Sequence, residues 1–451
     1  MLKINPWLSN RKKTLLINFT EIFIIFLFFN TLKLIFDLSI EIFLLLKLIT
    51  SFSIFWIVSS YLIGRNYINL LTKRDYLKHM LGTLLVTIIC FQSNYFINSW
   101  TNIDSFNFNY LSSAYSFILF FIAISFSNYV LLDFFRKENL NKKKIILLID
   151  PLKENQLLPF GLKNYNYFIQ DENLIKIKNL RIKETIFVVE NFLSLKNPTK
   201  RLLNKILLKG GRVESLFKWV EKNLESCPNA IISESNIIEG DFVIERNSFE
   251  YRLKRLGDIS FSIFLILISS PIVLLAAIFI KLEDGGEIFY SQKRIGLNGK
   301  LFWIKKLRSM SENAEQGKAI WSSNNDPRIT KVGKFIRKTR IDELPQLWCV
   351  VNGSMSLIGP RPERPEFDKT LLKKIKHYKL RQTIRPGLSG WAQVKYKYSN
   401  SLKNSETKLG YDLYYLRNFS FWLDILILLK TIRLILSSFF KSKENLFVNK
   451  I

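Results

Sequence analysis

Two adjacent acids, Asp342 and Glu343, open the stretch Ile341-Asp342-Glu343-Leu344-Pro345-Gln346-Leu347-Trp348, and an arginine between two prolines, Pro360-Arg361-Pro362, follows Met355-Ser356-Leu357-Ile358-Gly359. A carboxylate can take up a phosphoryl group as a nucleophile, and a guanidinium fork matches the geometry of phosphate oxygens. Phosphoryl chemistry uses both. Each feature also has a plain structural reading. An acidic pair complements the dipole of a first helical turn, where Pro345 is also at ease and from which Leu347, Val350 and Val351 continue a helical pattern. Arg361 alone reads as a solvated side chain on a surface turn. The readings are compatible. A carboxylate at a helix start is expected to be exposed, ionised and rigidly aimed. The rings of Pro360 and Pro362 fix φ on either side of Arg361, which with the Gly359 turn makes a stiff phosphate clamp.

The elements that must position these residues read as those of a membrane protein. Of 451 residues 38 are Phe, and apolar stretches run through 15–36, 40–63, 79–98 and 113–133, each close to the ~20 residues a helix needs to cross hydrocarbon. Arg11, Lys12 and Lys13 precede the first stretch. Arg65, Lys73, Arg74 and Lys78 lie between the second and third, and Arg136, Lys137 and Lys142 to Lys144 follow the fourth. The segments near Asp37 and from Trp100 to Tyr110 carry no basic residue. The positive-inside rule therefore puts both ends of a four-span α-helical bundle, 1–140, in the cytoplasm. The first stretch lacks a small-residue cleavage site and is not a cleavable signal. Glu21, Lys33 and Lys47 fall inside the spans, where snorkelling and pairing near the interfaces is preferred over a polar path through the bundle.

The 66 Lys and Arg against 37 Asp and Glu give a net charge of +29, which suits nucleic acid, an anionic bilayer or a phosphorylated substrate. The basic residues flank apolar segments and do not interleave with aromatics on a soluble face, which argues against nucleic acid. Cys90, Cys227 and Cys349 are odd in number and widely spaced, so they suggest neither a disulfide framework nor a metal site. From 141 to 246 the composition turns soluble. Short β-branched runs at Ile145–Ile149, Ile186–Val189 and Ala230–Ser233 alternate with helical stretches, which predicts a Rossmann-like α/β module. After its first strand the chain reads Ile149-Asp150-Pro151-Leu152-Lys153-Glu154, with no glycine to admit a pyrophosphate, so a regulatory or spacer role is expected. Gly210-Gly211 reads as a turn.

The segment 247–451 begins with Arg252-Leu253-Lys254-Arg255-Leu256-Gly257-Asp258 and an apolar run from Ile259 to Ile280, then Lys281, Lys293 and Arg294. Its length suits a span. Basic residues on both sides, and Ser269-Ser270-Pro271 in its middle, point instead to a re-entrant helix over about 257–281 that enters the membrane, bends and returns. Proline kinks a helix, and a nearby serine hydroxyl can satisfy the carbonyl it frees. Near the end of the chain, 421–440 is apolar but holds Asp424, Lys430 and Arg433. It reads as an amphipathic interfacial helix with Trp422 at headgroup level.

This last part of the chain resembles the bacterial sugar transferase family, the monotopic polyprenyl-phosphate hexose-1-phosphate transferases. The resemblance rests on Ser270-Pro271, Phe289-Tyr290-Ser291-Gln292-Lys293-Arg294-Ile295-Gly296, Ile304-Lys305-Lys306-Leu307-Arg308-Ser309-Met310, Asn325-Asp326-Pro327-Arg328-Ile329-Thr330, the two opening motifs, Arg385-Pro386-Gly387-Leu388-Ser389-Gly390-Trp391-Ala392-Gln393-Val394 and Tyr411-Asp412-Leu413-Tyr414-Tyr415. With the upstream bundle and module, the chain looks like the long form of the family, similar to undecaprenyl-phosphate galactose- and glucose-phosphate transferases.

The resemblance implies a mainly α-helical monotopic catalytic domain that moves a sugar-1-phosphate from a UDP-sugar to undecaprenyl phosphate and releases UMP, the first membrane step of exopolysaccharide, capsule or O-antigen synthesis. It implies the cytoplasmic face of the bacterial inner membrane, contact with membrane lipids, and Mg²⁺ beside the aspartate. Asp342 would be nucleophile and metal ligand, and Glu343 a general base or an orienting partner for the lipid phosphate. Arg361, Lys306, Arg308, Arg337 and Arg385 match basic positions of the motifs and become phosphate-binding candidates; Pro360, Pro362, Ser270 and Pro271 become structural ones. Leu307 stands where the family usually has Phe, Ser354 where it has an acid, and Cys349 where Asn is common. The sequence leaves room for a homo-oligomer, and names no sugar beyond a leaning to galactose or glucose.

Overall fold

A computed structural model of the chain describes residues 6–35, 42–65, 73–100, 110–140, 144–149, 151–165, 167–170, 185–190, 192, 195–238, 242, 244, 248–311, 326–396 and 401–440. Asp37, the segment 101–109, Lys142, Asp150, the 246/247 boundary and Asn325 of the sequence reading lie outside them. The chain divides into two compact units, Leu8–Lys142 and Lys143–Ile451, the second with Met1–Trp7.

The first unit holds α1 (Lys12–Ile35), α2 (Ile42–Ile63), α3 (Lys73–Trp100) and α4 (Tyr110–Leu140). Lys12–Ile35, Leu45–Ile63 and Tyr115–Phe135 are long and apolar enough to cross a membrane, while the apolar part of α3, Leu77–Gln92, is shorter. Rings fill the bundle's interior: Phe29, Phe52, Trp56 and Phe120 are buried together with Ile25 and Ile124, and Phe52 meets Phe29 and Phe120 edge-on, an arrangement the ring quadrupoles favour. Glu21 is fully buried. Its carboxylate accepts from Arg65 Nη2 at 2.6 Å, Trp56 Nε1 at 2.9 Å and Asn128 Nδ2 at 2.8 Å. A charge persists in an apolar interior only when paired and hydrogen-bonded. Arg65, which the sequence reading places among the cytoplasmic loop charges, is instead 1% exposed. Glu21 draws it inward, so it cannot serve as an orienting surface charge.

The second unit begins with a four-stranded, all-parallel sheet in the order β2-β1-β3-β4. Its elements are β1 (Lys144–Leu148), β2 (Tyr167–Gln170), β3 (Thr185–Val189), α5 (Asn197–Leu208), β4 (Arg212–Ser215) and α6 (Leu216–Leu224). The central strands β1 and β3 are buried nearly throughout, which is why they read as continuous apolar runs and not as alternating ones. Gly210, at φ 78°, makes the turn from α5 into β4. Ala230–Ser233, predicted as a strand, is not one: Asn229–Ile231 is a 3₁₀ turn entered from Pro228, whose ring removes the N–H a ladder would need.

Then follow α7 (Phe249–Asp284), the antiparallel hairpin β5 (Phe289–Ile295) and β6 (Leu301–Leu307), α8 (Lys331–Thr339), a 3₁₀ turn over Ile341–Gln346 and α9 (Leu347–Val351). The short parallel pair β7 (Ser356–Ile358) and β8 (Gly387–Ser389), α10 (Trp391–Lys395), α11 (Leu402–Arg417) and α12 (Phe421–Phe440) complete the chain. Helix α7 is a single helix of 36 residues, about 54 Å if straight, and it too is long and apolar enough to cross a membrane. It runs on through Pro271, and Ser270 Oγ donates at 2.9 Å to Leu267 O, the carbonyl that Pro271 leaves without its usual donor. Ser248 caps its start and Gly285, at φ 72°, its end.

The first turns of α7 act as a clamp. Lys254, Asp258 and Ser262 recur every fourth residue and are buried, so they share one face. Lys254 Nζ donates to Ile358 O at 2.9 Å and to Asp424 Oδ2 at 2.8 Å, Asp258 accepts from Leu357 N at 3.1 Å, and Arg255 donates to Val350 O and Val351 O at 2.8 and 3.0 Å. Two charges that read as membrane-flanking thus bind the fold internally. The same holds in α12: Asp424 and Lys430, which the sequence reading turns toward water, are buried. Asp424 also accepts from Tyr415 Oη at 2.7 Å, and Lys430 lies 5.2 Å from the Trp391 ring. Internal partners outweigh the interface for both side chains, while Trp422 stays exposed. Lys254→Met is expected to cost about 3–5 kcal/mol, because it strands the buried Asp424 carboxylate. The double variant with Asp424→Leu should recover part of that loss in thermal unfolding, and strict additivity would contradict the pairing.

Candidate active site

The two acids lie where β6, α8 and α9 meet. Thr330 caps α8 by accepting from Gly333 N at 2.9 Å, and α8 stops at Arg340, which takes the left-handed conformation at φ 61°. That residue reverses the chain into the 3₁₀ turn whose first residues are Ile341, Asp342 and Glu343. The predicted helix start is there, but its carboxylates are not exposed: each residue is 7% exposed. The turn packs against β6 and the far part of α7, where Leu307, Ala276, Ile280 and Ile336 form a small core with Ile341.

The burial is uneven in its consequences. Glu343 Oε1 accepts from Arg361 Nη2 at 2.7 Å, and Arg340 Nη1 and Lys306 Nζ approach it at 3.4 and 3.5 Å. Burial alone would raise the Glu343 carboxyl, but Arg361, Lys306 and Arg340 outweigh it and hold the group well below the usual carboxylate range. Asp342 goes the other way. Burial first, and the Glu343 charge second, push its carboxyl up to about 6, against the pull of Lys306, Arg340 and Arg337. Its Oδ1 is buried with no hydrogen-bond partner. Burial also pulls the Lys306 ammonium down to about 8. The site therefore holds one committed carboxylate and one with an oxygen still to be used.

Arg361 is held as firmly as its prolines suggest, through its backbone. Three successive carbonyls each accept a hydrogen bond: Pro360 O from Gly387 N at 2.9 Å, Arg361 O from Arg381 Nη2 at 2.7 Å, and Pro362 O from Arg294 Nη1 at 3.1 Å. Gly359 N donates to Ser389 O at 2.8 Å. A Cβ on Gly387 would come within 2.1 Å of Gly359 N, and one on Gly390 within 2.2 Å of Gly359 O. Only bare backbone allows the two motifs to pack this closely.

The other basic candidates separate. Lys306 is at the acids, and Arg337 acts on Asp342 electrostatically while its Nη1 is buried without a hydrogen-bond partner. Arg308 pairs with Asp284 at the end of α7. Arg385 donates to Gly353 O at 2.8 Å and to Tyr251 Oη at 2.5 Å, tying the turn after α9 to the start of α7. Three residues given no place in the site by the sequence reading now have one. Arg340 makes the turn and approaches Glu343, Arg294 braces Pro362, and Arg381 joins the Arg361 backbone to Asp412 at 2.9 Å. Arg294 lies within a quoted motif, yet its partner is 68 residues away, so no local spacing signals it.

Among the described residues no group of three or more His, Cys, Asp or Glu could hold a metal ion. Mg²⁺ does not require one, because it is commonly bound through one or two carboxylates together with substrate phosphates and water. The unpartnered Asp342 Oδ1 fits such a shared ion.

Residues 249–438 match the model of the bacterial sugar transferase family. An uncharacterised sugar transferase of Bacillus subtilis, EpsL, is 38% identical over 186 residues, and the match covers 88% of its length and 41% of this chain. The chain belongs to the bacterial sugar transferase family. Longer relatives match over a similar number of residues. The UDP-N-acetylgalactosamine-undecaprenyl-phosphate N-acetylgalactosaminephosphotransferase of Aeromonas hydrophila is 46% identical over 187 residues, 42% of this chain and 44% of that protein. The UDP-glucose:undecaprenyl-phosphate glucose-1-phosphate transferase of Escherichia coli K12 is 37% identical over 182 residues, 40% of this chain and 39% of that protein. The match thus spans less than half the length of these two relatives. The family match, 249–438, takes in every residue of the Asp342 site and leaves out the bundle and the parallel sheet.

Proposed function

We propose that this protein transfers a sugar-1-phosphate from a UDP-sugar to undecaprenyl phosphate, through a covalent phosphosugar on Asp342. The observation that carries the reading is the asymmetry of the acid pair: Glu343 is consumed by cations, while Asp342 keeps a buried, unpartnered oxygen. In the first step Asp342 attacks the sugar-bearing phosphorus. The new bond joins the carboxylate oxygen to phosphorus, the diphosphate bridge breaks, and UMP leaves with the bridging electron pair. In the second step an oxygen of the lipid phosphate attacks the same phosphorus and releases the Asp342 carboxylate, giving the lipid diphosphate sugar. No net proton is required in either direction.

Each side chain has a part in this scheme. Arg361 and Lys306, both held at Glu343 Oε1, would face the incoming phosphates. Glu343 positions them and needs no proton transfer of its own, which agrees with its strongly held charge. Mg²⁺, bound by Asp342 and the diphosphate, would neutralise the charge that otherwise repels a carboxylate. The exposed apolar surface of α7 would seat the unit in the bilayer, whether as a re-entrant helix or a span; the re-entrant form keeps Asp342 on the cytoplasmic side of the inner membrane, where UDP-sugars are made.

Purified full-length protein with a panel of UDP-sugars, undecaprenyl phosphate and Mg²⁺ should release UMP, and should stop when the metal is chelated. No UMP from any donor would sink the proposal. The pH profile follows from the two shifted groups. Asp342 must be ionised, so kcat/KM falls as pH drops through about 6, and Lys306 must be charged, so it falls again as pH rises through about 8. A bell between those limits is expected in the free enzyme. A flat profile from pH 5 to 9 would contradict both assignments.

A further inference from the structure

The parallel sheet lies outside the family match, which covers residues 249–438. Yet here the sheet's last helix is built into the transferase segment. Glu221, on α6, accepts from Arg417 Nε at 2.7 Å and from Asn418 Nδ2 at 2.9 Å, and the Arg417 guanidinium lies 4.9 Å from the Phe217 ring. One turn later Glu225 ends α6 in the left-handed conformation, at φ 51°. Its carboxylate pairs with Lys395 at 2.6 Å and its carbonyl accepts from Trp391 Nε1 at 2.9 Å. Cys227 N donates to Gly410 O at 2.8 Å, and a Cβ on Gly410 would come within 2.7 Å of the Phe160 ring. Glu221, Glu225, Cys227, Trp391 and Tyr411 are all buried. A paired, buried seam of this kind is that of a fixed joint and not of a tethered spacer.

The seam also has a direction. Trp391 and Lys395, the two residues held by Glu225, are the first and last of α10. Immediately before Trp391 comes Gly390, pressed against Gly359 O, and Ser389 O accepts from Gly359 N. Gly359 leads into Pro360-Arg361. We propose that the α/β module is a fixed brace of the transferase site, with Glu225 a positioning residue that, through Trp391 and the Gly390–Gly359 contact, sets the backbone from which Arg361 reaches Glu343 and the donor phosphates. This rests on the transferase reading for its activity arm alone.

The test uses the full-length protein with Glu225→Lys, the charge-exchanged pair Glu225→Lys with Lys395→Glu, and Trp391→Phe, which removes the indole donor together with part of the buried ring. Hydrogen exchange and steady-state kinetics are measured on each. Glu225→Lys and Trp391→Phe should speed exchange of the amides in 387–391 and 356–361 and raise KM for the UDP-sugar by about tenfold, since small displacements of a positioning group are costly. The exchanged pair should restore much of both. A seam with only a structural role would lower the folded fraction and leave KM and the exchange of 356–361 as in the parent protein, and that result would overturn the proposal. If the parent protein releases no UMP, the transferase reading fails while the exchange arm still decides the brace. If Glu225→Lys does not fold, Trp391→Phe decides.

Discussion

Asp342→Asn is expected to lower turnover by on the order of a thousandfold or more, because it removes the proposed nucleophile and leaves the binding groups in place. Incubated with a UDP-sugar and no lipid, the parent protein should release one UMP per chain and gain the mass of a phosphosugar, whereas the variant should do neither. The same change should stabilise the fold at neutral pH. Asp342 has its carboxyl raised from 3.8 to about 6, so the folded state favours the protonated form. Stability from this group is complete below 3.8 and is lost as pH rises through about 6, beyond which the ionised group opposes folding by on the order of 3 kcal/mol. Asn carries no charge at any pH. The thermal midpoint of the variant should therefore exceed that of the parent protein at pH 7–8, and the two should converge below about pH 4. Equal midpoints at pH 8, or a variant that keeps turnover, would remove Asp342 from the role assigned to it.

Glu343→Gln should have the opposite signature, losing both stability and activity. Arg361, Lys306 and Arg340 converge on one carboxylate, and a neutral amide would leave three like charges facing each other. Removing one partner of a buried pair typically costs about 3–5 kcal/mol; since Arg340 is half-exposed, roughly 3 kcal/mol is expected here, and it should grow at low salt where repulsion is least screened. Activity should fall through KM for the donor as well as kcat, because the phosphate-facing cations lose their anchor. A base would behave differently: its loss would lower kcat with normal stability and shift the acid limb of the pH profile. Chemical denaturation at two salt concentrations, run beside the kinetics, distinguishes the two.

The proposed chemistry is legible in the sequence because it depends on contiguous motifs. An acidic pair before a helical pattern, and an arginine between prolines after a glycine, announce themselves through local geometry: φ restriction, helix-start preference and side-chain charge are properties of a few neighbouring residues. The long apolar stretches are legible for the same reason, since crossing hydrocarbon is a matter of length and composition. Local reading fails where a side chain answers to something distant. Arg65 and Lys254 read as surface charges and are buried, because Glu21 and Asp424 wait for them across the fold. Asp424 and Lys430 read as the wet side of an interfacial helix and turn inward for the same reason.

The types of the proposed site residues, and their order along the chain, were thus set by sequence alone. The division of labour between Asp342 and Glu343 was not. Adjacent in sequence and equally buried, they differ because Lys306 of the hairpin, Arg361 after the glycine-packed β7 and the neighbouring Arg340 converge on one carboxylate and leave an oxygen of the other unpartnered. The joining of the parallel sheet to the transferase segment was likewise settled by the fold. Burial and pairing depend on groups that are far apart in the chain, and only a folded chain brings them to hydrogen-bonding distance.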